Sequence, residues 1–254
     1  MEDATPVNSP MDPYVNLDNE NCEDKPVDIT LYLSIVGSLM FAALGTRPDI
    51  SYSVTALSRY NVRPLQMHLT AAKRVLRYLK TTMGKKLHFP VDSKTTLHGL
   101  TDSDWAGRTS TRKSVGGYIF IDGGPISWQA KSQSVVALST LEAEFIACSD
   151  ATREAIWLKR LRNEMSETAT GNDNTPIRIG CDNQGALKLI ETGVAKAKTK
   201  HIDVKYRHVI DEQKLQGTVE FYYVTSDQNI ADLLTKPLPK ERHVRLTRMM
   251  VLVG

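Results

Sequence analysis

Thr101-Asp102-Ser103-Asp104-Trp105-Ala106-Gly107 closes an apolar, strand-like run that opens at Leu97, and it sets two carboxylates at the strand's far end. Side chains alternate along a strand, so Asp102 and Asp104 share one face and either can serve as the acid delivered there. Three further acidic motifs follow in order: Glu142-Ala143-Glu144-Phe145, Cys181-Asp182-Asn183 and Ile230-Ala231-Asp232-Leu233. Each lies at the end of a strand-like run or inside an amphipathic helical pattern. Such placement lets a fold bring carboxylates that are distant in sequence to one point.

Working outward from Asp102, the pattern is period two on both sides of the first Gly-rich stretch. Leu97 to Thr101, Gly117 to Ile121 and Ile126 to Gln129 read as strands, with Gly123-Gly124-Pro125 as the turn between the last two. Together they predict an antiparallel meander. A long helical pattern then opens at Ser139 or Thr140, either of which can cap the first turn, and runs through Ile146, Ala147, Ala155, Ile156, Leu158 and Leu161. A polar loop from Gly171 to Pro176 ends it. A strand (Ile177 to Cys181), a short helix (Asn183 to Glu191), a basic helix from about His201 to Leu215, a strand (Thr218 to Val224) and terminal helices complete the pattern. The expected fold class is α/β: a mixed five-stranded sheet with flanking helices.

Upstream, Leu31 to about Met83 is helical in period and predicts three helices. The last, from His68 to Thr82, sets Lys73, Arg74, Arg77 and Lys80 beside an apolar stripe. Residues 1–29 carry eight acidic side chains and one basic, Lys25, with few large apolar residues, and are expected to be disordered or loosely attached. Residues 30–90 reverse the balance, with nine Lys or Arg and one acid, Asp49. The domain expectation is an acidic segment over 1–29, a helical segment over 30–90, the α/β body over 91–238 and a helical tail over 239–254.

Composition narrows the class. A chain of 254 residues with 41% hydrophobic and 24% charged content suits a soluble globular protein. The longest near-apolar run, Leu39 to Leu44, falls well short of the roughly 20 residues a spanning helix needs. Cys22, Cys148 and Cys181 form neither a disulfide framework nor a zinc spacing, and no secretory signal opens the chain, so a cytoplasmic or nuclear setting is expected. A basic body with a net charge of +3 suits a polyanionic partner.

The chemistry of the acids can be argued directly. Two divalent ions about 4 Å apart can address both the attacking water and the leaving oxygen of a phosphodiester. Magnesium wants oxygen ligands in octahedral geometry, so such a site is mostly carboxylate. Each acid also has a plainer reading: Glu142 as a first-turn helix acid, and Asp182 as a helix N-cap.

The order Asp102, Glu144, Asp182, Asp232, drawn from those elements, resembles ribonuclease H. The text resembles most closely the ribonuclease H end of copia-type LTR retrotransposon Pol polyproteins. Its carriers are Asp102-Ser103-Asp104-Trp105-Ala106-Gly107, Ser114-Val115-Gly116-Gly117-Tyr118, Ser139-Thr140-Leu141-Glu142-Ala143-Glu144-Phe145, Cys181-Asp182-Asn183, Lys200-His201-Ile202-Asp203 and Asn229-Ile230-Ala231-Asp232-Leu233-Leu234-Thr235-Lys236-Pro237-Leu238. Tyr32 to Leu39, Thr46-Arg47-Pro48-Asp49-Ile50 and Ala71 to Lys80 resemble the segment joining the reverse transcriptase palm to ribonuclease H in the same polyproteins. The likeness covers about residues 30–250.

The resemblance implies a ribonuclease H-like fold that hydrolyses the RNA strand of an RNA–DNA hybrid. It implies Asp102, Glu144, Asp182 and Asp232 as catalytic residues and ligands to two Mg2+ ions, with Mn2+ able to substitute, and favours Asp102 over Asp104 and Glu144 over Glu142. Integrase cores place their glutamate last among the acids, whereas here it is second. Expected nucleic-acid contacts are Arg112, Lys113, Asn183, Gln184, Lys196, Lys198, Lys200 and His201, with Lys205 beside them and Lys73, Arg74 and Arg77 upstream. A hybrid is read mainly through its phosphates and 2′-hydroxyls, which needs no sequence specificity. Trp105 is expected in the core.

Two departures accompany the likeness. No Tyr-x-Asp-Asp hairpin is present, so the chain is expected to read as a C-terminal Pol fragment beginning at its own Met1, without polymerase activity and working alone or beside a separately supplied reverse transcriptase. Val224 to Asn229 holds no histidine, where many ribonucleases H carry one, and slow turnover is expected.

Overall fold

A computed structural model describes residues 4–18, 24–90, 96–105, 112–165, 175–193, 208–250 and 252–253. Its centre is a five-stranded sheet of order β4-β3-β2-β5-β6. Strands β2 (His98–Asp104), β3 (Val115–Asp122) and β4 (Gly124–Ser132) form the antiparallel meander. The β3–β4 turn is tight because Gly123 adopts φ 74°, a left-handed conformation that costs a glycine little. A two-residue strand β1 (Lys86–Leu87) lies outside this sheet and pairs with β7 (Leu252–Val253).

From β4 the chain enters α4 (Thr140–Met165), then β5 (Ile177–Cys181), which pairs parallel to β2. After α5 (Gln184–Thr192) and a helix α6 over residues 208–214, β6 (Val219–Tyr223) pairs parallel to β5. The sheet is therefore mixed, and β2 and β5 end on the same side. In open α/β sheets the crevice beyond the carboxyl ends of parallel strands is where sites form.

The two faces of the sheet have separate cores, as the pleat requires. Leu97, Tyr118, Phe120 and Ile179 pack against Ala151, Ala155 and Leu158 of α4. Leu100, Ile119 and Ile121 face the other way, toward Leu233 and Leu234 of α7 (Asp232–Thr235) and Leu246 of α8 (Lys240–Met249). The alternation along β2 thereby sends Asp102, two residues after Leu100, to the α7 side.

The upstream helices α1 (Ile29–Gly45), α2 (Ser51–Ser58) and α3 (Gln66–Thr81) form a third core around Tyr32, Val36, Leu39, Leu57, Val75 and Tyr78. This bundle docks on the edge strand β4. Trp128 Nε1 donates to Ala43 O at 2.9 Å, and Thr55 Oγ1 donates to Ala130 O at 2.9 Å. Covering an edge strand removes a row of open backbone groups that would otherwise pair with another chain.

The described part of the acidic N-terminal segment does not match the expected disorder. Met11 and Ser9 are buried, and Val7, Leu17 and Val27 pack on the helical core. Its acids find specific donors: Asp24 Oδ2 accepts from Met67 N at 2.6 Å in the first turn of α3, and Asp18 Oδ1 accepts from Tyr60 OH at 2.6 Å. Four apolar residues, Val7, Met11, Leu17 and Val27, escape a composition argument yet suffice to anchor the segment. The tail after residue 239 also differs from an all-helical expectation, since it ends in β7. No helix among the described residues is long and apolar enough to cross a membrane.

Candidate active site

Asp102 enters the site from β2, where it stands opposite Gly117 of β3. A Cβ on Gly117 would lie 2.7 Å from Leu234 Cβ and 3.0 Å from Thr235 Cγ2, so the glycine is what lets α7 lie directly on the sheet. That close approach carries Asp232, the first residue of α7, to Asp102. Asn229 holds the incoming loop: its Nδ2 donates to Thr101 O at 3.0 Å and its Oδ1 accepts from Ala231 N at 3.2 Å. Asp182 follows directly on the end of β5, and its Oδ2 accepts from Ser226 Oγ at 2.6 Å. Glu144 comes from the first turns of α4, which opens with Ser139 Oγ accepting from Glu142 N at 3.2 Å and Glu142 accepting from Leu138 N at 2.8 Å.

Asp102, Asp182 and Asp232 place carboxylate oxygens within 4.8 Å of one another, and Glu144, Cys181 and Asp182 group their ligand atoms in the same way. Asp182 belongs to both groups and so joins all four acids into one constellation. Asp102, Glu144 and Asp232 are buried, while Asp182 is partly open.

Burial of so much negative charge shows in the protonation of the acids. Desolvation, then the charges of Asp102, Cys181 and Asp182, push Glu144 up to about 10. Desolvation and Asp102 push Asp232 up to about 7 against the opposing pull of Lys236 and Arg242. Lys236 Nζ lies 2.6 Å from Asp232 Oδ1 and 3.4 Å from Asp102 Oδ2. Burial would lower its pKa, but Asp102 and Asp232 outweigh burial and raise it. Arg242 Nη2 pairs with Asp232 Oδ2 and donates to Ser226 O at 3.0 Å, and Thr235 Oγ1 donates to Asp102 Oδ2.

Four carboxylates suit a hard cation, with the Cys181 thiol beside Glu144 and Asp182 and one Glu144 oxygen, Oε2, buried without a hydrogen-bond partner among the described residues. The ammonium of Lys236 stands between two of these acids as a cation would.

The other expected residues lie in several different settings. Asp104 lies on the face of Asp102 but outside both ligand groups, and Glu142 is occupied with the start of α4. Asn183 caps α5, with its Oδ1 accepting from Ala186 N at 3.0 Å, while Gln184, Arg112 and Lys113 border solvent. Lys196, Lys198, Lys200, His201 and Lys205 lie outside the described residues. Trp105 departs from its expected core position: it is 45% exposed, with Nε1 donating to Ala137 O at 3.0 Å, because β2 ends beside it. Arg74 and Arg77 are engaged by the N-terminal segment, through Ser9 Oγ at 3.2 Å and Thr5 O at 2.9 Å.

Thr235, Lys236, Ser226 and Arg242 received no role from the sequence. Thr235 and Lys236 stand three and four positions after Asp232, the spacing at which helical side chains meet, and that signal was available.

No protein-family model matches the chain. Over 248 residues, 95% of its length, it is 40% identical to the Retrovirus-related Pol polyprotein from transposon TNT 1-94 of Nicotiana tabacum. Over 238 residues, 93% of its length, it is 38% identical to the corresponding polyprotein from transposon RE1 of Arabidopsis thaliana. The chain is homologous to a region of copia-type retrotransposon Pol polyproteins. It spans 18% and 16% of these two copia-type relatives. Among solved structures, LC11-RNase H1 in complex with RNA/DNA hybrid aligns with 55% of this chain and 94% of its own, at 15% identity and a TM-score of 0.39. The chain's own strand order and connections, a mixed five-stranded sheet β4-β3-β2-β5-β6 preceded by helices, are ribonuclease H-like.

Proposed function

We propose that this ribonuclease H-like domain is a metal-dependent endonuclease that hydrolyses the RNA strand of RNA–DNA hybrids. The observation that carries the reading is the convergence of Asp102, Asp182 and Asp232 within 4.8 Å from three separate elements, with buried Glu144 joined to them through Asp182. Asp102, Glu144, Asp182 and Asp232 would hold two Mg2+ ions, and Mn2+ would substitute. When bound, the ions supply an activated water and charge stabilisation at the leaving oxygen. The chain's own part is to fix the four acids, through Gly117, Asn229 and the cap of α4, and to keep three of them buried while Asp182 stays partly open to solvent.

In this reading Arg112, Lys113 and Gln184 would supply phosphate and 2′-hydroxyl contacts, as would Lys196, Lys198, Lys200 and His201. Asn183 serves first as the cap of α5. A hybrid made by a reverse transcriptase is the natural substrate.

His243 does not replace the missing loop histidine. It is buried beside Asp49, with its pKa driven down to about 4 by desolvation. That absence, with Lys236 and Arg242 paired to the acids, favours a second reading in which the fold binds hybrid without cutting it. Cleavage of a labelled hybrid by wild type, Asp102→Asn and Asp182→Asn separates the two. The nuclease reading expects at least about a hundredfold loss in each variant with hybrid binding retained in Ca2+; equal inactivity of all three with binding retained establishes the second.

A further inference from the structure

The geometry points to Lys236 as a built-in counter-ion: we propose that its ammonium holds Asp102 and Asp232 together in the metal-free site and is displaced when a divalent cation binds. This rests on the metal-site reading above and adds to it how the site survives without metal. Three observations carry the inference.

First, Lys236 Nζ bridges two acids from different elements, at 2.6 Å from Asp232 Oδ1 and 3.4 Å from Asp102 Oδ2. A metal held by both residues would draw on the same two carboxylates. Second, Lys236 lies just past α7 with an extended backbone (φ −145°, ψ 155°), and its side chain is 31% exposed. A flexible four-carbon stem with an open side can withdraw into solvent without unfolding the helix. Third, Asp232 keeps a second cation, Arg242, also tied to Ser226 O, so loss of the Lys236 contact leaves Asp232 anchored. Asp102 keeps its bond from Thr235. Two like charges this close in a poorly hydrated site repel strongly unless a cation lies between them.

Linkage makes the proposal measurable. If ammonium and metal compete for the same oxygens, removing the ammonium must tighten metal binding and weaken the metal-free fold by the same factor. The comparison uses full-length wild type, Lys236→Met and Lys236→Arg, titrated with Mn2+ by calorimetry at constant ionic strength, with thermal unfolding in EDTA and in saturating Mn2+. Lys236→Met is expected to bind Mn2+ at least about tenfold tighter than wild type, while Lys236→Arg, which keeps the charge, does not gain. Its thermal midpoint should fall below wild type in EDTA, and the deficit should close in saturating Mn2+.

Mn2+ affinities within twofold across the three proteins, or a deficit that persists unchanged in Mn2+, overturn the counter-ion role. If Lys236→Met is unfolded in EDTA, Mn2+ but not NaCl at equal ionic strength should restore its near-ultraviolet circular dichroism; failure to restore it also overturns the proposal. Uptake of Mn2+ by wild type but not by Asp182→Asn keeps the metal-site reading separate, and absence of uptake in every protein removes both.

Discussion

Glu144 shows how a single side chain's chemistry depends on what it is waiting for. Its ordinary carboxyl pKa of 4.5 is raised to about 10 by burial and by the acids around it, so at neutral pH the metal-free folded protein holds it protonated. A folded-state pKa above the unfolded value contributes stability that is complete below pH 4.5 and is lost progressively as pH rises toward the folded value. Glu144→Gln carries no such loss. In EDTA the variant is therefore expected to exceed wild type by about 1–3 kcal/mol at pH 8, with the gap shrinking toward pH 5, by urea denaturation. A gap that stays constant with pH would show that Glu144 is not under this strain. Gly117 is the second residue on which the site turns. Gly117→Ala must push Leu234 and Thr235 away and should cost about 1–3 kcal/mol while loosening Mn2+ binding through Asp232. At this scale the four acids were legible because each stands near the end of a strand or the start of a helix and follows a family order. Arg242 was not, since a cation ten positions after Asp232 has no local spacing that links it to that acid.

Among the elements, the contact between the upstream helices and α8 is polar and buried. Arg47 grips Asp49 with two bonds, Nε to Oδ1 at 2.9 Å and Nη2 to Oδ2 at 2.8 Å, and Tyr78 OH donates to Asp49 Oδ2 at 2.6 Å. Burial raises the Asp49 carboxyl, but Arg47 and Tyr78 prevail and hold it below its usual value. Asp49→Ala leaves Arg47 buried without its partner and is expected to cost about 3–5 kcal/mol, read as a shift in denaturation midpoint. His243 of α8 closes the same cluster, its Nε2 3.3 Å from Asp49 O and its ring edge-on to Tyr78. With a folded pKa near 4 against 6.5, His243 contributes stability present above pH 6.5 and lost as pH falls toward 4. Wild type should accordingly lose about 1–3 kcal/mol more than His243→Gln between pH 7.5 and pH 5, and parallel losses would contradict a buried neutral histidine. Strand and helix periods in this region were readable, and the three upstream helices appear where the apolar spacing set them. The partnership of Asp49 with α8, nearly two hundred residues later, leaves no mark in local periodicity.

For the whole molecule, the upstream helices and the ribonuclease H-like body share the β4 edge through Trp128, Ala43, Thr55 and Ala130. Removing residues 1–83 would bare that edge and strip His243 and Trp128 of partners, so the shortened chain is expected to unfold at lower denaturant and to aggregate. Unchanged stability would make the helices a mere appendage. The acidic segment also changes the expected charge map, because it engages Arg74 and Arg77 and so turns part of the basic face of α3 inward. Hybrid affinity should depend on salt mainly through Arg112, Lys113 and the lysines between 196 and 205, with little contribution from α3. Composition pointed to disorder there because it averages over a segment whose few apolar residues are each well placed.

The most direct test offers wild-type protein an RNA–DNA hybrid, the same RNA single-stranded, and duplex DNA, each end-labelled, in Mg2+ and in EDTA. Loss of the RNA strand from the hybrid alone, in Mg2+ alone, is the predicted result. An intact hybrid in Mg2+ and in Mn2+, under conditions where the protein is folded and binds it, would contradict a ribonuclease H active site.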